Sequence, residues 1–319
     1  MTLVQADGLC KNFGRFTAVD DISFAVQRGE VVGFLGPNGA GKSTTMKMLA
    51  GFLEPDAGRA TLGGHDVLRE PIAARRLLGF LPEGAPAYGD MSVADFLHFA
   101  ARMRGLAGPR LRERVAEMVE RVHLGPVWNR QIDNLSKGFK RRVGIAQALV
   151  HDPDVLILDE PTDGLDPNQK HEMRTLIASI AASKAIIIST HILEEVEAVC
   201  SRVIIIAAGR CLVDATPSAL VAAQPRPVRI RLDIEAATPD QAVAHLRAQT
   251  GVDEVLTSPL PGGLMRLELQ GDPAMASPAV LARSLEQQGV SVQGMGTVPP
   301  TLEDVFRAMT RAVPSREAA

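Results

Sequence analysis

One nine-residue segment restricts the fold of this chain more than any other. It fits the pattern G-x-x-x-x-G-K-[ST] and consists of Gly36, Pro37, Asn38, Gly39, Ala40, Gly41, Lys42, Ser43 and Thr44. A continuous apolar run at 31–35 precedes it, and a helical pattern at 42–53 follows it. A glycine-rich loop between a buried strand and a helix can direct backbone N–H groups at phosphate oxygens. The segment therefore predicts a phosphate-binding loop inside an α/β domain.

Further apolar runs predict the sheet around this loop. They lie at 155–158, 185–188 and 203–206, with helical patterns between them, as in parallel strands covered on both faces. Shorter antiparallel strands are expected at 3–5 and 22–26. The segment 89–150 has no strong strand signal, which predicts a helical subdomain inserted into an α/β domain of residues 1–222.

The proline-rich segment 224–227 predicts a domain boundary, because it can neither continue a helix nor join a central strand. Beyond it, strands are expected at 228–234, 253–256, 264–269 and 290–293, with helices after the first and third of them. This order, βαββαβ, predicts a small α+β domain of the ferredoxin-like, split-βαβ type over residues 228–312. Thr301 is expected to cap a final helix, and residues 313–319 to form a flexible tail.

Composition excludes several other classes of protein. The 319 residues carry 34 basic and 37 acidic side chains, and this slight acidity argues against a nucleic-acid partner. Three scattered cysteines, Cys10, Cys200 and Cys211, are too few for a disulfide framework or a zinc site. No apolar run approaches the roughly 20 residues of a spanning helix, and the first residues do not resemble a signal peptide. We expect a cytoplasmic protein that reaches a membrane only through a partner.

Two acidic residues follow the apolar run at 155–158. Asp159 lies where open α/β sheets place their ligand crevice, and a carboxylate there can hold Mg²⁺ together with the Ser43 hydroxyl. Glu160 comes next and can polarise an attacking water. With Lys42 directed at the β- and γ-phosphates, these residues predict nucleotide hydrolysis.

Four further motifs carry a resemblance to a known family. They are the segments 11–14, 133–142, 161–166 and 189–191, which contain Phe13, the run Leu135-Ser136, the loop after Glu160 and His191. With the phosphate loop and Asp159, they make residues 1–222 similar to the ATP-binding subunit of ABC transporters. The resemblance implies that His191 binds the γ-phosphate and that Phe13 stacks on adenine. It also implies that Ser136 and Gly138 contact ATP held by a second subunit.

This chain departs from the family pattern in two places. Glu83 stands where the family usually has glutamine; it keeps an oxygen for metal or water but loses the amide donor. In the signature segment, Lys137 and Phe139 replace glycine and glutamine. The basic run 140–142 is expected to be a solvated face. These variants resemble ABC-2-type exporter ATPases, with the gliding-motility-associated group most similar.

The resemblance implies an ATPase that uses Mg²⁺, with catalytic roles for Lys42, Glu83, Glu160 and His191. Two copies, or two paired ATPases, would enclose two ATP molecules and drive a separate integral-membrane permease from the inner face of the cell membrane. The alternative is an ABC ATPase without a transport role, of the translation or DNA-repair type. A ligand-sensing role for the second domain also stays open, and the transported substrate is not predicted.

Overall fold

The computed structural model describes residues 1–223, 228–235, 239–272, 275–298 and 301–311. They divide into two compact units: residues 1–217 with those from Phe306 onward, and residues 218–305. The predicted boundary segment 224–227 and the predicted tail 313–319 lie outside the described residues.

The first unit contains ten strands among its described residues. They are β1 (Thr2–Phe13), β2 (Phe16–Gln27), β3 (Val31–Leu35), β4 (Ala57–Leu62), β5 (His65–Asp66), β6 (Leu78–Leu81), β7 (Val155–Asp159), β8 (Ala185–Thr190), β9 (Arg202–Ala207) and β10 (Arg210–Ala215). An antiparallel sheet has the order β2-β1-β4-β5, and a six-stranded sheet the order β10-β9-β3-β8-β7-β6. The expected antiparallel strands at 3–5 and 22–26 fall near the start of β1 and the end of β2, which are much longer than predicted.

The six-stranded sheet is parallel except for its edge strand β10, which is antiparallel to β9. Every residue of β3, β7 and β8 is buried, as the continuous apolar runs predicted. Register brings the carboxyl ends of the parallel strands together: Leu35 pairs with Thr190, Asp159 with Ser189, and Leu81 with Leu158. The residues that follow these strands therefore share one edge of the sheet.

Among the described residues of this unit, eight α-helices begin: α1 (Lys42–Leu49), α2 (Pro71–Arg76), α3 (Val93–Met103), α4 (Gly108–Arg121), α5 (Lys137–Leu149), α6 (Pro167–Ala181), α7 (Leu193–Val199) and α8 (Pro217–Ala223). Segment 89–150 contains only helices, turns and a single isolated bridge, Ser92 with Gln131. The predicted helix at 42–53 was too long. Gly51 adopts a φ of +67° directly after the last turn, a left-handed conformation that commonly ends a helix.

The second unit has the strands β11 (Val228–Glu235), β12 (Val252–Pro259), β13 (Leu264–Gly271) and β14 (Val292–Val298), with helices α9 (Pro239–Arg247) and α10 (Pro278–Glu286). The antiparallel order β12-β13-β11-β14 confirms the ferredoxin-like prediction. Leu232, Leu246, Leu267 and Leu285 belong to its core. Helix α11 (Leu302–Arg311) begins after Thr301, whose hydroxyl accepts from the Asp304 N–H at 3.3 Å, as expected of a cap.

Among the helices that the structure describes, none is long and apolar enough to cross a membrane.

Candidate functional site

The glycine loop sits between the end of β3 and the start of α1. A Cβ on Gly36 would lie 2.2 Å from the carbonyl oxygen of Ile206, so only glycine lets the loop approach β9 this closely. Gly41 has a φ of +104°, and a Cβ there would lie 2.5 Å from the Ala18 oxygen. The tip of the loop is exposed and consists of Pro37, Asn38 and Gly39, while Ala40 is buried. Both ends of the loop therefore pack closely against neighbouring backbone, and its exposed centre is accessible to a ligand.

Lys42 bends back over this loop. Its buried ammonium donates to the carbonyl oxygens of Gly36 at 2.7 Å and Pro37 at 3.1 Å. Burial lowers the pKa of Lys42, and the charges of Glu160, Asp159 and Glu83 oppose that shift. The cation is therefore placed at the loop and faces an acidic site. Phosphate oxygens are suitable acceptors for the same N–H groups. Ser43 and Thr44, the next two residues of α1, are half-buried.

Asp159, at the end of β7, is only 1% exposed. Its Oδ1 accepts from the Ser43 hydroxyl at 3.2 Å and from the Ser189 hydroxyl in a short hydrogen bond. Its Oδ2 is buried and has no hydrogen-bond partner in the part of the chain that the structure describes. A buried carboxylate oxygen without a partner is costly unless a cation or water satisfies it. Carboxylate and hydroxyl oxygens are the ligands that Mg²⁺ prefers, so Asp159 and Ser43 fit that ion.

Glu160 follows Asp159 with a φ of +51°, which turns its side chain away from the strand direction. Its backbone N–H donates to the Ser189 hydroxyl oxygen at 3.0 Å, which supports this unusual conformation. The carboxylate lies 3.1 Å from Nδ1 of His191. Burial raises the pKa of Glu160, and the contact with His191 opposes that shift. A carboxylate whose pKa is raised toward neutrality, held by a histidine, suits a general base.

Two other predicted residues lie at the margins of this group. Glu83 is exposed and follows β6, whose end adjoins β7. Its charge acts on Lys42. Phe13 ends β1 and is about half exposed, with the Lys11 ammonium 5.9 Å from its ring centre. An exposed ring face of this kind can accept a planar base.

Ser136 and Gly138 belong to the first turn of α5. The Ser136 hydroxyl accepts from the Phe139 N–H at 3.4 Å and so caps that helix. Gly138 is buried against the side chain of Gln169, which a Cβ would approach to 2.5 Å. In the described part of the chain no hydrogen bond joins either residue to the glycine loop. The two groups of predicted residues are therefore separate within one chain.

The expectation for the basic run 140–142 is wrong for two residues. The side chain of Arg142 is only 12% exposed and pairs with Glu172. Arg141 is 4% exposed, and its Nη1 is buried with no hydrogen-bond partner among the described residues. Its Nη2 lies 3.8 Å from Asp163, and it also experiences the charges of Asp159 and Glu160. The helical face that looked basic in sequence turns this side chain inward, toward the acidic site.

Sequence reasoning missed the role of Ser189. It noted this residue only as part of the segment 189–191, yet the hydroxyl contacts both Asp159 and the Glu160 N–H. A serine in an otherwise apolar strand was the available signal. The sequence could not identify its hydrogen-bond partners, because they depend on the pairing of β7 with β8.

Comparison with known proteins shows which family the chain resembles. The sequence profile of the family described as ABC transporter matches residues 19–163. A daunorubicin resistance ATP-binding protein, DrrA3 of Streptomyces coeruleorubidus, is 32% identical over 97% of this chain and 96% of its own length. A probable multidrug ABC transporter ATP-binding protein, YbhF of Escherichia coli (strain K12), is 39% identical over 69% of this chain. This chain spans only 38% of the length of that protein.

A solved structure agrees with the fold. The ATP-binding subunit of an ABC transporter superimposes with a TM-score of 0.65 at 30% identity, over 69% of this chain and 92% of its own. The similarity to transporter subunits does not favour the translation or DNA-repair alternative.

Proposed function

This chain belongs to the ABC transporter family of ATP-binding proteins, and we propose that it hydrolyses ATP to power export through a separate membrane permease. The observation that carries the proposal is the buried Oδ2 of Asp159, which has no hydrogen-bond partner among the described residues and belongs to the carboxylate that Ser43 contacts. A nucleotide-bound Mg²⁺ would supply the partner that this oxygen lacks.

ATP would bind through the residues of the loop. Backbone N–H groups at the start of α1 would receive the phosphate oxygens, and Lys42 would exchange its carbonyl partners for them. The exposed ring of Phe13 would take the adenine. Bound Mg²⁺, held by Ser43 and Asp159 with Glu83 close by, would neutralise charge on the β- and γ-phosphates.

Hydrolysis requires an activated water in line with the γ-phosphate. Glu160 would accept the proton of that water, because burial gives its carboxylate a raised pKa. His191 holds the same carboxylate at 3.1 Å and would fix its direction, while its exposed ring stays available to the phosphate. Ser189 positions both acidic residues from the neighbouring strand.

Ser136 and Gly138 would act on a second copy of the chain. Neither is bonded to the loop of its own chain, and Ser136 caps a helix whose first N–H groups favour an anion. We therefore propose a dimer in which each α5 start closes the ATP site of the other copy. Lys137 would add a positive charge there, where the family usually has glycine.

An apolar groove supports a permease partner. Its volume is about 600 Å³, and it lies between the segment after α1, the loop after Glu83 and helix α3. Phe52 and Met103 on its wall are each 71% exposed, and Tyr88 is 57% exposed. These exposed aromatic rings lie beside the loop that carries Glu83, and such an apolar surface is typical of a binding site for a protein partner. We propose that this segment docks there, so that Glu83 relays its movement.

The place of action and the direction of transport follow from this assignment. We propose that the protein works in the cytoplasm, bound to the inner face of the membrane through the permease. The relatives are named for multidrug transport and for daunorubicin resistance, which supports export as the direction.

ATP binding and turnover test the enzymatic part of the proposal. Glu160→Gln should retain ATP affinity but lose nearly all steady-state hydrolysis, because the amide cannot accept the proton. Lys42→Ala should weaken ATP binding itself. Glu197→Gln, which changes an exposed carboxylate, is the matched control and should behave as wild type. Wild-type turnover in Glu160→Gln would rule out Glu160 as the base, and unchanged ATP affinity in Lys42→Ala would refute the loop assignment.

Purification from membranes tests the transport part. A multi-span membrane protein should co-purify with the full chain, and Phe52→Ser with Tyr88→Ser should abolish that association while ATP affinity is kept. Leu256→Ser, which changes an exposed leucine of the second unit, is the control. Association with ribosomes or DNA instead of a membrane protein would favour the non-transport alternative.

A further inference from the structure

A buried glutamate outside the predicted site joins two of its loops. Glu195 lies on α7 and is 5% exposed. Its Oε2 accepts from the Thr190 hydroxyl at 2.9 Å, and its Oε1 accepts from the Thr162 hydroxyl in a short hydrogen bond. Each carboxylate oxygen therefore binds a different segment of the chain.

The two threonines are placed next to the reacting groups. Thr162 comes two residues after Glu160, in the segment that leads to α6, and Thr190 directly precedes His191. The Thr190 hydroxyl also accepts from the Ile192 N–H at 3.0 Å. The backbone on both sides of His191 is thus held through one hydroxyl, and that hydroxyl is held by Glu195.

The charge of Glu195 determines the direction of these bonds. An ionised carboxylate only accepts, so both threonine hydroxyls must donate to it, which leaves the Thr190 oxygen free to accept from Ile192. Lys170 forms an ion pair with the same carboxylate, with Nζ 3.9 Å from Oε1, which is too far for a hydrogen bond. Among the described residues the two threonine hydroxyls are the side chains that hydrogen-bond to Glu195, so loss of the carboxylate would remove the direct link between the two segments.

We propose that Glu195 is a positioning residue for ATP hydrolysis, tying the segment after Glu160 to the turn that carries His191. This inference rests on the proposed ATPase activity. Through this tie, a movement of the segment 161–166 also moves His191 and so its contact with Glu160. Glu195 touches no reacting atom and acts through Thr162 and Thr190.

Steady-state kinetics of the full chain test the proposal. Glu195→Gln keeps the shape of the side chain but can accept from only one threonine in the same way. We expect kcat to fall by about 10- to 100-fold, the effect of weakening one or two charge-assisted hydrogen bonds. The KM for ATP should stay within about threefold, because the loop that binds phosphate is untouched. Glu194→Gln, which changes the exposed neighbour on α7, should leave both constants unchanged.

A second pair of variants changes Thr190 and leaves the buried carboxylate of Glu195 in place. Thr190→Val removes the hydroxyl and should lower kcat with little effect on KM, whereas Thr190→Ser keeps the hydroxyl and should restore most of the rate. If Glu195→Gln or Thr190→Val turns over at the wild-type rate, Glu195 does not position the site. A parallel loss of ATP affinity and kcat, with Thr190→Ser no better than Thr190→Val, would show a merely structural role. Absence of turnover in the wild-type protein would instead refute the ATPase assignment.

Discussion

Asp159 offers the sharpest test of how this site binds a metal. Its Oδ2 is buried without a partner, while Oδ1 is occupied by Ser43 and Ser189. Asp159→Asn keeps the size of the side chain and an oxygen for the two hydroxyls. It removes the negative charge that Mg²⁺ would need, so the metal-dependent part of the affinity for the nucleotide should be lost.

The expected size follows from ligand-linked stability. At a ligand concentration of about 100 times Kd, binding stabilises the folded state by about 2.7 kcal/mol. Mutation of a group that holds or orients a metal ligand lowers the affinity by about 10- to 100-fold. At the same concentration the variant would then gain only about 1.4 to 0.4 kcal/mol. The increment in the free energy of unfolding should therefore shrink by about 1.3 to 2.3 kcal/mol.

Urea unfolding measures this increment as the difference between samples with and without Mg²⁺ and a non-hydrolysable ATP analogue. Taking the difference removes any change in the stability of the free protein, including the loss of a charge near Lys42. Asp154→Asn is the matched control, because Asp154 directly precedes the same strand, is half-buried and pairs with Arg28. An increment in Asp159→Asn equal to that of wild type would refute the metal role of Asp159.

Three further results are expected. Burial raises the pKa of Glu160 above 4.5, the ordinary value for a glutamate. The kcat measured at saturating ATP should therefore fall on the acid side with a midpoint above pH 4.5. A midpoint at or below pH 4.5 would contradict the assignment of Glu160 as the general base. Gly36→Ala should weaken ATP binding by about 1 to 3 kcal/mol in calorimetry, because its Cβ would press on the Ile206 oxygen. Gly125→Ala, where the Cβ meets no atom within 4 Å and φ is not positive, is the control and should bind ATP as wild type does. Burial lowers the pKa of His151 to about 4, so the unfolded chain binds a proton that the folded chain does not between pH 6.5 and 4, and stability falls as pH drops through that window. In urea unfolding, His151→Gln should reduce the decrease in the free energy of unfolding between pH 7 and 4.5 by about 2 kcal/mol. A pH dependence of stability equal to that of wild type would contradict this explanation.

Much of the fold could be predicted because its signals are local. Continuous apolar runs indicated β3, β7, β8 and β9, since a strand buried on both faces needs no polar alternation. Alternation in β11 and the order of the elements after it indicated the second unit. The strands β4, β5, β6 and β10 were not predicted.

The candidate site was predicted in part. The loop with Lys42, and the position of Asp159 at a strand end, follow from spacing alone. The bonds of Ser189, the inward course of Arg141 and the links made by Glu195 did not follow. Each of these depends on partners that lie far away in the chain, such as Ser189 and Asp159, which are 30 positions apart.

The sequence by itself therefore determined the loop, the main buried strands and the identity of the chemical groups, because glycine conformation, apolar periodicity and side-chain chemistry are properties of neighbouring residues. The tertiary structure alone decided which groups meet. Parallel register placed the ends of β7 and β8 side by side, and packing of α5 and α7 buried Arg141 and Glu195. Burial then changed what these side chains can do, because a charge removed from water must find partners, and only the folded chain supplies them.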